Sequence, residues 1–449
     1  MNHDSGWNAI VPAESQPKGL LESILEQARP EREPKLDKRR GRPAQIGLAH
    51  LGWAIFWCFL HGWQAQLDLW RQIRFERLGE FMPVNVCDQA VYKRLAQHGL
   101  AALGMVFESV SAILAQRLGP YEQWQLAPFA SAVVALDESK LDQVGRWLSG
   151  LRELPLGSPG LLAGRLSCLF DVRRQQWLRV DVLPEALANS LVHARTLLAE
   201  LPLGTLLLFD RGYFSFEWFD ELTRKGFFWI SRLRERTSYE VVHIFVQKDG
   251  YLDALVHLGI HRTDQAEYVV RLIQIGHGNQ CWRYLTNVLD PRVVSGAQVA
   301  QLYRRRWDIE LAFRLLKDHL HVNVLWSAKW EVIQVQLLAG IILAQVFHAL
   351  QVEIAAEAHV DLFEVSLDLL LRDVPRRLLM GQSPSQFLRE QGSQRGIIRP
   401  HQRLAYSLPE IEEHEIVWPP ASLVSRLRRK PHYAHNPGGH ARRKLPSLP

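Results

Sequence analysis

The spacing of apolar residues along the chain changes character twice. From about 45 to 125 it is helical, with no stretch that alternates as a half-buried strand would. Within that region, Asp88-Gln-Ala-Val-Tyr-Lys-Arg-Leu-Ala-Gln-His-Gly99 begins at a capping acid and stops at a glycine. A helix near Gln66–Leu78 precedes it across a short segment holding Pro83. The pair has the form of a helix-turn-helix that would offer Gln89, Tyr92, Lys93 and Arg94 to a major groove, although a plain helical hairpin gives the same pattern.

After about 126 strands and helices alternate. Val133–Leu136 is a short apolar run that predicts a buried strand ending at Asp137. Arg165–Phe170 and Gln176–Val182 predict two strands around the polar turn Asp171–Gln175. A helix near Ser190–Leu201, a strand over Thr205–Phe209 ending at Asp210, a helix over Phe216–Lys225 and a strand over Phe227–Ser231 follow. The stretch from about 232 to 284 is β-rich, with strands at Tyr239–Val246, Glu267–Ile275 and Gln280–Asn287. A long helix is expected from about 295 to 320, then more helix to about 390. The fold class is α/β, a mixed sheet flanked by helices.

With 449 residues, 47% of them apolar, the chain can support several domains and a large core. The four cysteines, Cys58, Cys87, Cys168 and Cys281, show no C-x-x-C spacing, which argues against a disulfide scaffold or a cysteine zinc site. The opening MNHDSGWNAI lacks the charged start and apolar run of a secretory signal. Ile46–Trp63 and Val332–Leu350 are apolar, but His50, His61, Gln334, Gln336, Gln345 and His348 interrupt them, so they read as buried helices rather than spans. The expectation is a soluble, cytoplasmic protein with no membrane partner.

Net charge is +6, and its location matters more than its size. From Arg426 onward there are seven bases and no acid, and Lys35–Arg42 holds five bases and one acid. Without those two segments the rest is mildly acidic. Basic ends around an acidic body attract a polyanion by counterion release, and Arg40-Gly-Arg-Pro43 suits an A·T-rich minor groove. The expected partner is therefore nucleic acid, held in part by two flexible tails.

Asp137 and Asp210 each end an apolar strand, where an α/β sheet normally presents its ligand-binding groups. The helix Tyr303-Arg-Arg-Arg-Trp-Asp-Ile-Glu-Leu-Ala-Phe-Arg-Leu-Leu-Lys317 supplies a third acid. On a regular helix Tyr303, Arg306, Trp307, Glu310 and Lys317 share an arc of roughly 100°, opposite Ile309, Ala312, Leu315, Leu316 and Leu320. A solvated face laced with ion pairs explains the charges but not the two aromatic rings; a surface that grips phosphates and stacks a base explains both. Three carboxylates without His or Cys suit Mg2+, with Mn2+ able to substitute. Two such ions can drive an in-line phosphoryl transfer, with Arg306 and Lys317 positioning the phosphates.

The spacing Tyr-x2-Arg-x3-Glu-x6-Lys at Tyr303, Arg306, Glu310 and Lys317, with Asp137 and Asp210-Arg-Gly-Tyr213, resembles the DDE transposases of the insertion-sequence-4 family. The resemblance spans about 130–350. It implies a ribonuclease-H-like catalytic domain with a β-rich insertion, and Asp137, Asp210 and Glu310 as the catalytic, metal-binding triad. It also implies DNA contacts from Tyr303, Arg306, Trp307 and Lys317, to which Arg211 and Tyr213 are added. Trp307 matches one of two tryptophans that hold a flipped base in such enzymes, and Trp282 matches the other, although a core aromatic would look the same. The function implied is that of a bacterial insertion-sequence transposase that binds terminal inverted repeats, cuts at the element ends and joins them to target DNA. Synapsis of two ends implies a homodimer.

The organisation expected is a disordered basic segment at 1–44, a helical DNA-binding region at 45–125 and a catalytic domain at 126–350 with its insertion at 232–284. A helical region at 351–425 is a candidate dimer contact, and a basic tail fills 426–449. The competing readings are a nuclease on the same fold and a catalytically silent DNA-binding descendant.

Overall fold

The computed structural model describes residue 24, residues 45–399 apart from 64, 120–124, 143–161, 188, 261–263, 321, 323, 324 and 328, and residues 411–433. The proposed 1–44 segment, apart from residue 24, and the end of the basic tail lie outside the described residues.

Helices α1 (Leu48–Leu60), α2 (Gln66–Phe75) and α3 (Asp88–Leu118) come first. Strands β1 (Val133–Asp142), β2 (Leu162–Asp171) and β3 (Gln176–Leu183) form a meander. Helix α4 (Ser190–Leu197), β4 (Leu206–Phe209), α5 (Phe216–Arg224) and β5 (Phe228–Arg232) follow. Then come β6 (Tyr239–Lys248), β7 (Tyr251–Leu258), β8 (Val269–Ile275) and β9 (Trp282–Thr286). Helices α6 (Gly296–Arg304), α7 (Trp307–Arg314), α8 (Trp330–Glu357), α9 (Leu367–Leu379) and α10 (Pro384–Gln391) complete the order.

The nine strands among the described residues share one sheet in the order β3-β2-β1-β4-β5-β9-β8-β7-β6. β1, β4 and β5 run parallel and the other pairs antiparallel. Alternation along β1 divides the core. Val133, Ala135 and Leu141 face the cluster that contains α1, α3 and α8, whereas Val134 and Leu136 face the cluster around α4 and α5. Helix α8 is buried over almost its whole length, as the expected buried helix requires, although α3 and α8 are both long and apolar enough to cross a membrane.

Several expectations change. Gly99 does not stop a helix, because α3 runs on to Leu118. A Cβ at Gly99 would lie 2.7 Å from Val335 Cγ2, so the glycine lets α3 approach α8 closely. Strand β7 has no counterpart in the sequence reading; its burial on both faces leaves no alternation to read. The expected helix over 295–320 is broken at Arg305–Arg306 and ends in a wide π turn at Leu315–His319.

The part of the basic tail that is described is docked rather than free. Val269 N–H donates to Leu427 O, Arg429 N–H to Glu267 O, and Gln265 and His432 exchange two backbone bonds. Arg428 pairs with Glu267, and Tyr433 Oη donates to Asp220 Oδ2 at 2.9 Å. In the candidate dimer region, Val365, Leu370 and Val374 are buried within the chain, while Leu379 and Met380 are exposed.

Candidate active site

Asp137 lies within β1 rather than at its end, one residue past the stretch where Val133–Leu136 pairs in parallel with Leu206–Phe209 of β4. Asp210 follows β4 directly, so the parallel register brings the two acids to corresponding places on adjacent strands. The Asp210 side chain accepts from Gly212 N–H at 2.7 Å and caps the single turn Arg211–Tyr213, which fixes its orientation. Asp137 Oδ1 accepts from Glu138 N–H at 2.8 Å.

Glu310 comes from α7. Its Oε1 lies 2.5 Å from Arg306 Nη2, and Arg306 Nη1 lies 3.5 Å from Asp137 Oδ2. One guanidinium therefore links the β1 acid to the helix acid. Burial raises the Asp137 carboxyl to about 7; Asp210 and Glu310 push it the same way, while the Glu138 amide and Arg306 hold it back. A cluster still short of positive charge with Arg306 in place favours a cation. The donors are oxygens, which suits a hard divalent ion, although among the described residues no three His, Cys, Asp or Glu side chains close around a single ion position.

The break before α7 changes the expected stripe. Trp307 is 57% exposed, and the Arg306 guanidinium lies over its ring at 5.3 Å and over that of Tyr303 at 5.8 Å. Tyr303 is buried, with its ring against Tyr284 of β9, and burial raises its phenol to about 12. Lys317 Nζ donates to Lys140 O on β1. Ile309, Ala312, Leu315, Leu316 and Leu320 are buried, as the expected apolar face requires.

Trp282 is half-buried on β9, two residues from Tyr284 and so on the same face. Arg211 is exposed, 3.9 Å from Glu235. Tyr213 departs from expectation. It is only 2% exposed, and its hydroxyl has no partner among the described residues, so the ring is core and does not face a duplex. Burial and the neighbouring Glu138, Asp137 and Asp210 raise its phenol well above the usual range.

Sequence reasoning missed the support beneath α7. Arg305 Nε lies 2.7 Å from Asp308 Oδ2, and Gln175 Nε2 donates to the same oxygen at 2.8 Å. All three are buried. Gln175 sits at φ 56° in the β2–β3 turn. The only available signal was a polar residue, Asp308, one turn from the apolar stripe.

Residues 160–346 match the family model for a transposase DDE domain. The match begins after Asp137, whose place beside Arg306 is known from the structure. Over about 150 residues the chain is 30% identical to the Escherichia coli K12 transposase InsG of insertion sequence element IS4, covering 31% of this chain and 33% of that one. It is 25% identical over 146 residues to the y4zB protein of Sinorhizobium fredii, covering 31% and 40%. A chain in a piggyBac transposase synaptic complex with hairpin DNA aligns at 11% identity over 88% of this chain and 86% of that one, with a TM-score of 0.39, too low to define a shared fold.

The central part of this chain is thus similar to transposase DDE domains. Its relatives include transposases of IS4-type insertion sequence elements, in line with the sequence resemblance. The chain matches between a third and two fifths of the length of those curated relatives.

Proposed function

We propose that this protein is an insertion-sequence transposase that binds the terminal inverted repeats of its element, hydrolyses the DNA at their ends and transfers the freed 3′-hydroxyls to a target strand. The observation that carries this is the placement of Asp137 and Asp210 at corresponding places on adjacent parallel strands, with Arg306 linking Asp137 to Glu310 of α7. The strand order β3-β2-β1-β4-β5, antiparallel then parallel, supports reading 126–350 as a ribonuclease-H-like domain with the β-rich stretch 232–284 as its insertion.

Asp137, Asp210 and Glu310 would hold one or two Mg2+ ions. The chemistry such ions supply is activation of a water or 3′-hydroxyl and stabilisation of the leaving oxygen. Arg306 and Lys317 would bind the phosphates beside the scissile bond, and Arg211 would bind the backbone farther out. Trp307, already exposed, offers a ring on which a displaced base can stack, with Trp282 as the second ring. Tyr303 acts from behind, packing against Arg306 and Tyr284 to hold the guanidinium in place.

The 45–125 helices would recognise the ends. Gln89 and Lys93 are exposed at the start of α3, and Tyr92 and Arg94 are half-exposed. Region 351–425, with Leu379 and Met380 outward, would pair two protomers during synapsis. The partner is DNA rather than a membrane, and the protein would work in the cytoplasm on the nucleoid.

The test is Mg2+-dependent nicking of a duplex that carries the element's own end, by wild type and by Glu310→Gln. Nicking that leaves a 3′-hydroxyl and is lost in the variant, with DNA binding retained, supports this reading. DNA binding without cutting by either protein favours the catalytically silent descendant.

A further inference from the structure

The signature helix is not held over the sheet by apolar packing alone. At the break between α6 and α7, Arg305 turns inward. Its Nε meets Asp308 Oδ2 at 2.7 Å and its Nη2 donates to Val172 O at 3.2 Å. Gln175 Nε2 donates to Asp308 Oδ2 at 2.8 Å and to Val172 O at 2.9 Å. Val172 and Gln175 belong to the β2–β3 turn. β2 is paired residue by residue with β1, from Val134 opposite Asp171 through Asp137 opposite Cys168. A chain of short polar contacts therefore runs from the first turn of α7, which carries Glu310, to the ladder that carries Asp137.

A buried ion pair is a poor source of stability, because desolvation offsets most of the attraction; its best-attested use is to specify register. Apolar side chains would hold α7 against the sheet equally well while letting it slide or roll by a fraction of a turn. The directional bonds of Asp308 remove that freedom. Asp308 is two residues from Glu310 and points inward while Glu310 points toward Asp137, so a roll of α7 that broke the Asp308 contacts would also move Glu310.

We propose that Asp308, gripped by Arg305 and Gln175, is a positioning residue that fixes Glu310 and Arg306 in register with Asp137. This rests on the reading of those acids as the cation-binding site. Removal of the grip is expected to leave a folded protein whose acids hold a divalent ion about tenfold less tightly, a typical cost for losing an outer support of a metal site. Glu310 and Arg306 would be present but misplaced.

The experiment measures Mn2+ binding to the full chain by electron paramagnetic resonance, with a melting temperature for each variant. Arg305→Met/Asp308→Leu exchanges the pair for apolar groups of similar size, and Gln175→Leu removes one arm of the grip at a position already at φ 56°. Expected is a melting temperature close to wild type in the Arg305→Met/Asp308→Leu exchange, with Mn2+ affinity reduced about tenfold in both variants and cutting lowered through kcat rather than KM. Folded variants that bind Mn2+ and cut as wild type would overturn the positioning role while leaving the site reading intact. Failure of the wild type itself to bind Mn2+, with Glu310→Gln identical to it, would overturn the site reading and this proposal with it.

Discussion

Arg306 and Glu310, one helical turn apart at the start of α7, meet at 2.5 Å, and the same guanidinium reaches Asp137 at 3.5 Å. A cation thus bridges two carboxylates from different elements, and the charge balance of the cluster depends on it.

Removal of that bridge should be visible in the pH profile. Arg306→Gln takes away a charge that holds the Asp137 carboxyl down, so Asp137 would keep its proton to higher pH. The alkaline shift of the pH–rate midpoint should accompany a loss of roughly a hundredfold or more in cutting, comparable to removing one preorganised charge-stabilising donor. Single-turnover nicking across pH 5.5–9 checks this; an unmoved midpoint would contradict it.

Asp137 also costs the fold stability. Its folded value of about 7 lies above the unfolded one, so its contribution is fully present at low pH and is lost as pH rises through 7. Asp137→Asn has no such loss. With chelator present, the variant should melt near wild type at pH 4 and several degrees higher at pH 8, the gap growing by up to about 1.4 kcal/mol per pH unit between. Parallel melting curves across that range would contradict the assignment.

The helical core responds to acid in the opposite sense. His50 and His348 are buried and held to about 4 by desolvation. Both stay neutral in the folded protein at pH 7. As pH falls below 6.5 the unfolded chain takes up protons that the fold refuses, so stability drops progressively down to about 4. His348→Gln should flatten that slope by up to one proton's worth, measurable by urea melts at pH 4.5, 5.5 and 7.

Trp307 and Trp282 should separate by exposure. Trp307→Ala removes an exposed ring, so its melting temperature should barely change while processing of an end that needs a displaced base falls. Trp282→Ala removes a half-buried ring on β9 that packs against the core, and should lower the melting temperature as well. A thermal shift that is larger for Trp307 would contradict the geometry.

How much was legible in the sequence follows from local pattern. Short apolar runs marked β1 and β4, and the Asp210 turn could be read because its strand stops where the apolar run stops. Asp137 was legible as a candidate although its strand continues past it for five residues, because pairing with β2 carries β1 onward where apolarity does not. The stripe Arg306–Glu310 survived the helix break because both residues lie near or beyond it on one short helix. Tyr303 and Tyr213 were misjudged because a phenol on a polar arc can fold inward, and only the packing of Tyr284 and the α5 cluster shows that it does. The grip on Asp308 was invisible because Gln175 is 133 residues away. Docking of 426–433 was hidden by its basic composition, which reads as solvated until Glu267 and Asp220 are found opposite.

Asp137, Asp210 and Glu310 are proposed to form one cation-dependent phosphoryl-transfer site. The most direct measurement is nicking of a duplex carrying the element's end, with Mg2+, by wild type and Glu310→Gln at matched DNA occupancy. Wild type is expected to give a 3′-hydroxyl product and the variant none. Equal cutting by both proteins would contradict it.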